Sequence, residues 1–551
     1  MIMLFRKYAR YLRAKTYGYQ DVRRLGKIIE QIGIKGQPTN KDKKILFAVS
    51  LGGEIGVVRL ESFLGAVLKY KGVESHFLLC DKFLSACQLC TYKAFNDDIN
   101  NFIINGPSKL FCTSCYTDAK KAINTCGFKV HTYSEYVSNA ELDQINSIVN
   151  TFEHEKIEDW EYEGIPVGEH AYAGALRFYT RSTLDKTKEA NDVLKRYFEA
   201  ALKTTFAIKN LLAKGNFDCV VAHHGIYVPQ GLIVQVAKAM NIRVVTWNVA
   251  YRKKTFIFSH GDTYHHTLMN EPNKNWEAIP WDKKKEKQLF GYIDSRLKGT
   301  GDWITFQSKN NEINKSNLLT DFISKNNGIN VALLTNVLWD AQVHYEQNAF
   351  DSMLEWIYYT IEYFKDRNDL NLIIRIHPAE VRNKLPSKQL IFNEINKRYQ
   401  TLPQNVLVLD ALSDVTSYEV AQESHCCLIY GTKMGVELSA MGNPIIVAGE
   451  AWIRNKGLTY DAKSKSEYRA LLDQIPEGIE ISAEQIELAK KYAYHFFFRR
   501  MIPLDGIDYN YGTPPFKIDL KQAKQVIQHP TKSINTIIDG LRYQKSFIYD
   551  E

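Results

Sequence analysis

The sequence has no apolar run that reaches the roughly 18 residues needed for a membrane-spanning helix. Charged residues interrupt its beginning before the hydrophobic stretch of a signal peptide can form, so we expect the chain to stay in the cytoplasm. It also has no internal repeat, no low-complexity tract and no clear Asp-x-Asp motif. Because paired carboxylates usually hold the Mg²⁺ of a diphosphate site, their absence favours chemistry that is independent of a metal ion.

The chain also lacks the charge pattern of a nucleic-acid-binding protein. Its formal net charge of +8 over 551 residues is mild, and no motif combines aromatic with basic residues, so we expect no nucleic-acid partner. Hydrophobic residues make up 45% and charged residues 24%, which is ordinary for a globular protein. The length predicts two large domains or three small ones, with cores that need no disulfide bonds.

Positive charge is concentrated in residues 1–44, where apolar residues are interleaved with the basic ones. This pattern is typical of a basic amphipathic helix that makes peripheral contact with an anionic membrane surface. An ordinary solvated helix packed on its own domain is the alternative. The basic residues are Arg6, Lys7, Arg10, Arg13, Lys15, Arg23, Arg24, Lys27, Lys35, Lys41, Lys43 and Lys44.

Strand-like and helical segments alternate along the rest of the chain, as they do around a parallel sheet. A buried strand is predicted at residues 45–51, followed by Gly52-Gly53 and a helix to about residue 69, which is how a doubly wound α/β unit begins. Residues 301–330 are polar and predict a linker, after which a second α/β series starts. Further strands are predicted at residues 75–80, 218–223, 243–249, 331–338, 370–376, 406–409, 426–430 and 444–447.

Two Rossmann-like domains joined by a linker describe the GT-B architecture, an α/β fold in which the domains face a central cleft that holds the active site. The first domain is predicted at residues 45–300, with a cysteine-rich insertion at about 80–126. The second is predicted at residues 331–475. Residues 476–551 form a helical, aromatic tail that is expected to pack back across the first domain.

Two segments of the second domain directly follow predicted strands. In the first, Arg375-Ile376-His377-Pro378-Ala379-Glu380, the histidine sits at the carboxyl end of its strand, where an imidazole can bind a phosphate. In the second, residues 428–437 (LIYGTKMGVE), a strand ends in Gly431-Thr432 and a helix starts near Met434. Small residues at a helix start suit a phosphate group. The candidate ligand-binding residues are Arg375, His377, Pro378, Glu380, Ser417, Tyr430, Gly431, Thr432, Lys433, Gly435 and Glu437.

The order and spacing of these segments resemble those of GT-B capsule and surface-polysaccharide biosynthesis proteins, a group related to bacterial Kdo transferases. The resemblance covers residues 330–470 well, including residues 336–340 (NVLWD) and 456–459 (KGLT), and the N-terminal half only loosely. It implies that His377 and Thr432 hold the phosphate of a nucleotide-sugar donor and that Glu437 accepts hydrogen bonds from the donor's hydroxyl groups. The family usually has Ser-Thr or Ser-Ser where this chain has Thr432-Lys433, so CMP-linked and UDP-linked sugars both remain open.

The N-terminal domain is expected to contact the acceptor and to supply a catalytic base, commonly a carboxylate or a histidine. Glu54 follows Gly52-Gly53 at the end of the first strand, and His224 follows another strand. Asp262 lies in a polar loop region, and Asp340 follows the first strand of the second domain. These four residues are the candidate bases.

Two CxxC pairs, Cys87-x₂-Cys90 and Cys112-x₂-Cys115, are separated by 21 residues. Each pair can supply two thiolates from one tight turn, which suits a tetrahedral structural Zn²⁺ site. An iron–sulfur cluster and free buried thiols are the alternatives.

The sequence therefore predicts a cytoplasmic, metal-independent glycosyltransferase whose acceptor is a surface polysaccharide or a lipid-linked glycan. Transfer of a polyol phosphate from a CDP-linked donor, as in teichoic-acid synthesis, is the second hypothesis. A non-catalytic assembly protein that keeps the same fold is the third.

Overall fold

The computed structural model describes residues 18–33, 43–96, 98–303, 317–340, 342–510 and 515–551. These residues form two compact units. The first unit comprises the described residues up to Tyr179, Leu184–Tyr264 and Arg499–Glu551. The second unit comprises Thr180–Thr183 and His265–Phe498. Each unit contains its own sheet, so each is described by itself.

The strands, in chain order, are β1 (Lys44–Ser50), β2 (Glu74–Leu79), β3 (Lys129–Thr132), β4 (Cys219–His223), β5 (Arg243–Val249), β6 (Thr255–His260), β7 (Ile329–Leu334), β8 (Leu370–Arg375), β9 (Val406–Leu409), β10 (Cys426–Ile429), β11 (Ile445–Val447), β12 (Tyr460–Asp461), β13 (Ile502–Pro503), β14 (Ile507–Tyr509) and β15 (Phe516–Ile518).

The helices, in chain order, are α1 (Gln20–Gln31), α2 (Ile55–Tyr70), α3 (Ile99–Asn105), α4 (Lys109–Thr125), α5 (Asn139–Asn150), α6 (Val167–Tyr179), α7 (Lys188–Gly215), α8 (Gln230–Ala239), α9 (Tyr264–Met269), α10 (Lys283–Leu297), α11 (Leu318–Lys325), α12 (Met353–Lys365), α13 (Ala379–Arg382), α14 (Ile391–Arg398), α15 (Ser417–Gln422), α16 (Met434–Ala440), α17 (Lys465–Asp473), α18 (Ala483–Tyr494), α19 (Leu520–Gln528) and α20 (Lys532–Tyr543).

The sheet of the first unit has the strand order β13-β6-β5-β4-β1-β2-β3. Strands β1 to β5 are parallel, whereas β6 and β13 are antiparallel to their neighbours. Strand β1 is almost wholly apolar and buried, as expected for a central strand with helices on both faces. The chain builds outward from β1 to β3 on one side and from β4 to β6 on the other, so the strand order reverses between β1 and β4.

The sheet of the second unit is parallel throughout, with the order β12-β11-β10-β7-β8-β9. Its core contains the inward-facing residues of these strands together with the buried faces of α12 and α17. The strand order reverses between β7 and β10. In open α/β sheets, ligands bind outside the carboxyl ends of the two strands at such a switch point. The fold therefore indicates one candidate ligand edge in each unit.

Most of the predicted strands are confirmed. The prediction at residues 45–51 differs by one residue from β1, and those at 243–249 and 406–409 coincide with β5 and β9. The predicted strand at 331–338 was wrong beyond residue 334, because β7 ends at Leu334 and an irregular segment leads from there into a turn at residues 338–339. Helix α12 starts at Met353, where the Ser352 hydroxyl caps it by accepting from the amide N of Glu355 at 3.2 Å.

The division into units falls elsewhere than the predicted domain boundaries. The second unit begins at His265, upstream of the linker predicted at 301–330, and the part of the predicted tail after residue 498 belongs to the first unit. The physical reason is aromatic and ionic packing within the second unit. Tyr292 of α10 contacts Phe497, with ring centroids 5.0 Å apart, and Arg296 of the same helix pairs with Glu437.

The basic segment at residues 1–44 is described only in part, since residues 1–17 and 34–42 lie outside the described residues. Its described helix, α1, is packed within the first unit. Val22, Leu25 and Ile29 are buried, and Asp21 pairs with Arg59 at 2.7 Å. This part of the segment therefore fits the packed-helix alternative. Among the helices that the structure describes, we find none both long and apolar enough to span a membrane.

Candidate functional site

The switch point of the second unit brings together the ends of three neighbouring strands. Thr335, which follows β7, accepts a hydrogen bond through Oγ1 from the backbone N of His377, which follows β8, at 3.0 Å. On the other side, a Cβ placed on Gly431, which follows β10, would lie 3.6 Å from Nδ2 of Asn336. Residues that are distant in sequence thus form one continuous edge, and two of the predicted ligand-binding residues, His377 and Gly431, lie on it.

The tautomer of His377 is determined by its own loop. The backbone N of Ala379 donates to Nδ1 of His377 at 3.0 Å, so the neutral ring carries its proton on Nε2. Burial, which is the largest cause, and the positive charges of Arg375 and Arg296 together lower the pKa of His377 to about 4. At neutral pH, His377 is therefore an uncharged hydrogen-bond donor, which is a suitable partner for a phosphate oxygen.

Thr432 and Lys433 lie where the chain enters α16. The amide N of Met434, the first residue of α16, donates to Thr432 Oγ1 at 3.3 Å, so the threonine hydroxyl satisfies one backbone donor at the helix start. Helix α16 has seven residues and so provides only a short dipole. Gly435 allows close packing, because a Cβ there would lie 2.5 Å from Cδ1 of Ile429 and 3.0 Å from Cγ2 of Ile453, so these side chains would have to shift. The charge at this end of the edge therefore comes from Lys433 rather than from a long helix.

Glu437 has no exposed side-chain surface, and cationic and hydroxyl groups surround it. Its Oε1 lies 3.1 Å from Nζ of Lys433, and its Oε2 lies 3.3 Å from Nε of Arg296. Tyr418 donates its hydroxyl to the same Oε2. Both carboxylate oxygens thus have partners within the protein, and the geometry makes Glu437 a residue that holds Lys433 and Arg296 in place.

Arg296 is shared between two carboxylates. Its Nη1 lies 2.7 Å from Oδ2 of Asp302, while its Nε faces Glu437. Burial lowers the pKa of Arg296, but the charges of Glu437 and Asp302 outweigh that effect and raise it well above the ordinary value. Asp302 is also fixed by the hydroxyl of Tyr292, at 2.6 Å. The result is a buried ionic network beside His377.

Several predicted ligand-binding residues form hydrogen bonds with backbone groups of the protein itself. Arg375 donates to four backbone carbonyls, those of Val415 (2.7 Å), Asp410 (2.6 Å), Ser413 (3.1 Å) and Ile376, and thereby holds the loop after β9. Glu380 accepts from the amide N of Ile391 at 2.9 Å, and burial raises its pKa to about 7. Both side chains organise the loops around the edge.

Three further predicted ligand-binding residues, Tyr430, Ser417 and Pro378, also have structural positions. Tyr430 donates its hydroxyl to the carbonyl of Phe350 at 2.8 Å and is buried in the core. Ser417 is the first residue of α15, and its neighbour Tyr418 is the residue that reaches Glu437. Pro378 begins the short turn into α13. These residues therefore contribute to the core and to the loops next to the edge.

In the first unit, the switch point lies beside Glu54 and His224. Glu54 is the N-cap residue of α2 at the end of the β1 loop, and His224 follows β4 with a left-handed backbone (φ +64°). Burial raises the pKa of Glu54, against the opposing charge of Arg177. Such a φ is uncommon for a residue with a Cβ and is often found at functional sites. The structure therefore places two of the four candidate bases at this second candidate ligand edge.

The other two candidate bases are placed differently. Asp262 pairs with Nζ of Lys238 at 3.2 Å and accepts from the amide N of Thr263 at 2.6 Å. Asp340 is exposed in the turn that follows β7. Asp262 is thus already paired with a lysine, whereas Asp340 belongs to the edge of the second unit.

The four cysteines of the predicted zinc site lie in the first unit. The Sγ atoms of Cys87 and Cys90 are 3.8 Å apart, and Cys115 accepts from the amide N of Gly53 at 2.9 Å. Cys112 lies near enough to Cys87 and Cys115 for their charges to raise its pKa, although burial is the larger cause. Among the residues that the structure describes, no group of three or more His, Cys, Asp or Glu side chains could hold a metal ion. The predicted zinc site is therefore not supported.

Sequence analysis missed Arg296, Asp302 and Tyr418. Arg296 lies upstream of the predicted linker, and no local pattern connects it with a glutamate in the second sheet. Tyr418 had a weak signal, since it stands next to Ser417 at the start of a capped helix. These contacts depend on the tertiary fold.

Fold and site together describe an α/β protein with two doubly wound sheets and, in the second, a candidate ligand edge that carries a neutral histidine donor and a lysine. Residues 303–485 match the sequence model of the family described as "Capsule polysaccharide biosynthesis protein". The match confirms the predicted resemblance to capsule polysaccharide proteins. It includes His377, Thr432, Lys433 and Glu437, so the second unit carries the region that this family shares.

Solved structures with a similar fold have low identity to this chain. One is "KpsC, beta Kdo 2,4 transferase" of Thermosulfurimonas dismutans, 11% identical, covering 57% of this chain and 88% of that chain, with a TM-score of 0.33. Another is UDP-GlcNAc 2-epimerase from Neisseria meningitidis bound to UDP-GlcNAc, 11% identical, covering 88% and 98%, with a TM-score of 0.27. At such TM-scores, these similarities carry no argument about this chain. No curated protein matches the sequence.

Proposed function

We propose that the protein is a glycosyltransferase that binds a nucleotide-linked sugar at the edge of the second unit. The observation that carries the proposal is the position of His377, with its proton fixed on Nε2, beside the switch point between β7 and β10. That region lies within the segment that matches the capsule polysaccharide family. The acceptor that this family relationship favours is a polysaccharide or a lipid-linked glycan.

In the proposed reaction, an acceptor hydroxyl forms a new bond to the anomeric carbon of the donor sugar as the bond to the phosphate breaks. Negative charge then develops on the leaving nucleotide. His377 donates to this phosphate through Nε2, and Lys433 contributes a positive charge. Arg296 adds its field from the buried network, since its charge already acts on His377. This set of donors gives the leaving phosphate a stabilising environment built from side chains.

The first unit is proposed to supply the base that takes the proton of the acceptor hydroxyl. Glu54 is the favoured residue, because it lies at the switch point of its sheet and burial raises the pKa of its carboxyl group, which makes it a better proton acceptor. His224 is the second candidate at the same edge. The donor base, CMP-linked or UDP-linked, is the finer question that the first experiment addresses.

The first test is a thermal-shift panel with CMP, CDP, UDP, GDP and ADP. A nucleotide that binds only the folded protein must raise its melting temperature. We expect one base to give a clear shift that is lost in His377→Ala. His425→Ala is the matched control, because His425 is exposed and precedes β10 at the opposite, amino end of the same sheet. No shift with any nucleotide would contradict a donor site, and an equal shift in His377→Ala would contradict its location.

A further inference from the structure

A second carboxylate lies at the same edge as the proposed donor site, after β11. Glu450 is 7% exposed. Its backbone N donates to Oδ1 of Asn348 at 2.8 Å, and its Oε1 accepts from the backbone N of Gln347 at 2.7 Å. Its other oxygen, Oε2, is buried and has no hydrogen-bond partner among the described residues. One half of this carboxylate is thus fixed by the protein, while the other half is unused.

Asn336 presents a similar unused oxygen from the other side of Gly431. Its Oδ1 is buried and makes no hydrogen bond within the part of the chain that the structure describes. A Cβ on Gly431 would lie 3.6 Å from Nδ2 of Asn336 and 3.4 Å from the carbonyl oxygen of Glu450. The two residues therefore flank the glycine at which β10 ends, next to the switch point. Buried polar atoms in native proteins are nearly always hydrogen-bonded, so two unused acceptors at one edge indicate a missing donor.

Glu437 does not offer such an acceptor. Sequence analysis assigned it to the hydroxyl groups of the donor, but Lys433, Arg296 and Tyr418 occupy its two oxygens. Glu450 has what Glu437 lacks, which is a buried oxygen without a partner in the described structure, held in place by a second oxygen that is bonded. Glu450, which follows β11, is therefore the acidic residue positioned to accept hydrogen bonds from hydroxyl groups.

We propose that Glu450 and Asn336 accept hydrogen bonds from hydroxyl groups of the nucleotide-linked donor, those of its ribose or of its sugar, and so determine which donor binds. This inference rests on the proposed function. A site built to bond a substrate hydroxyl rejects an analogue that lacks it, because the buried acceptors are then left unpaired. His377 and Lys433 would hold the phosphate, which all donors share, while Glu450 and Asn336 would select among them.

The variant that tests the proposal is Glu450→Gln, with Glu346→Gln as its matched control. Glutamine keeps the shape and can still accept from the amide N of Gln347, but an NH₂ group replaces Oε2. Glu346 is exposed and directly precedes Gln347, and its charge acts on Glu450. Its replacement therefore removes one nearby negative charge but keeps the Glu450 acceptor. A purely electrostatic effect appears in both variants, and a hydrogen-bond effect appears in Glu450→Gln alone.

The probes are CMP, UDP, their 2′-deoxy counterparts and UDP-glucose, with affinities measured by calorimetry. We expect Glu450→Gln to weaken at least one ribose- or sugar-bearing probe by about tenfold or more, while Glu346→Gln stays within about twofold. A loss shared by a nucleotide and UDP-glucose, together with weak binding of the 2′-deoxy probe by the wild-type protein, assigns the contact to ribose. A loss confined to UDP-glucose assigns it to the transferred sugar.

Two results would overturn the inference. If Glu450→Gln binds every probe as the wild-type protein does, ordered water satisfies Oε2 and the inference fails, while nucleotide binding that depends on His377 leaves the proposed function intact. If the wild-type protein binds no nucleotide, the inference and the proposed function fail together. Should Glu450→Gln not fold, the wild-type comparison decides: equal affinity for each nucleotide and its 2′-deoxy form, with no gain from the glucose moiety, would contradict recognition of hydroxyl groups.

Discussion

Arg296 places its Nε 3.3 Å from Oε2 of Glu437, a carboxylate with no exposed surface. The two residues come from α10, which precedes β7 in the chain, and from α16, which follows β10. Their pairing explains why α10 belongs to the second unit and why a carboxylate oxygen of Glu437 already has a partner within the protein. The same contact places a positive charge near His377, where it helps to keep the imidazole neutral.

The buried pair can be tested by removing one partner at a time. We expect Arg296→Met to lower the free energy of unfolding by about 3–5 kcal/mol, because it leaves Glu437 and Asp302 without their shared cation. Glu437→Gln should cost less, about 1–3 kcal/mol, since glutamine can still accept from Tyr418. Urea unfolding of both variants and of the double variant gives the coupling energy. Lys298→Met is the control, because Lys298 pairs with Asp294 on the exposed surface. A cost for Arg296→Met as small as for Lys298→Met would contradict a buried network.

Arg375 should behave as a structural residue. Lysine keeps the charge but cannot reach four carbonyl oxygens, so we expect Arg375→Lys to lower the free energy of unfolding by about 2 kcal/mol. Nucleotide affinity, measured well below the melting temperature, should stay within about twofold of the wild-type value. Unfolding experiments and calorimetry on the same sample check both statements. A loss of affinity like that of His377→Ala would instead place Arg375 in contact with the phosphate.

Glu380 predicts a pH dependence of stability. Burial raises its pKa from 4.5 to about 7, so between these pH values the folded state binds the proton that the unfolded state has lost. Its contribution to stability therefore falls as pH rises through this window. We expect Glu380→Gln to match the wild-type protein at pH 4.5 and to exceed it by up to about 3 kcal/mol at pH 8. Denaturant unfolding at several pH values measures the difference. A difference that does not change with pH would show that Glu380 ionises normally.

Glu54 is predicted to act in transfer and not in donor binding. If it is the base, Glu54→Gln should lower the turnover number by a factor of about 10² to 10⁴, with the thermal shift given by the nucleotide unchanged. Asp262→Asn is the matched control, because Asp262 is a carboxylate of the same unit that is already paired with Lys238. Release of nucleotide from the donor in the presence of acceptor provides the assay. Equal turnover in Glu54→Gln and the wild-type protein would transfer the role to His224.

The cysteines offer a test in which metal is removed. Burial raises the pKa of Cys80 to about 12 and raises the pKa of Cys112 and Cys115, while the hydrogen bond with Cys90 and then burial raise the pKa of Cys87. For Cys80, the thiolate fraction at pH 8 is then about a thousandfold below that of an ordinary thiol, so native thiols should react slowly with Ellman's reagent. After unfolding, the exposed thiols should react rapidly with the same reagent. Treatment with 1,10-phenanthroline should leave the melting temperature unchanged. A large drop would restore the hypothesis of a structural zinc ion.

The sequence by itself was sufficient for most strands and for the ends of the strands that carry the site. Strands such as β1, β5 and β8 are short, predominantly apolar segments bounded by polar or glycine residues, and this signal is local. Polar residues that directly follow such runs must lie at the carboxyl edge of the sheet. For that reason, His377, Thr432 and Glu54 were predicted at the edges where the structure has them.

The tertiary structure decided which of those residues face outward and which are occupied. Strand order, and with it the two switch points, depends on pairing between distant segments that no local pattern specifies. Arg296 reaches Glu437, and Arg375 turns to four carbonyls, because folding places each charged side chain beside whichever partner offsets its loss of water. The sequence thus determined where polar groups stand along the chain, whereas only the packed fold determined that Glu437 is used internally and that Glu450 keeps an oxygen without a described partner.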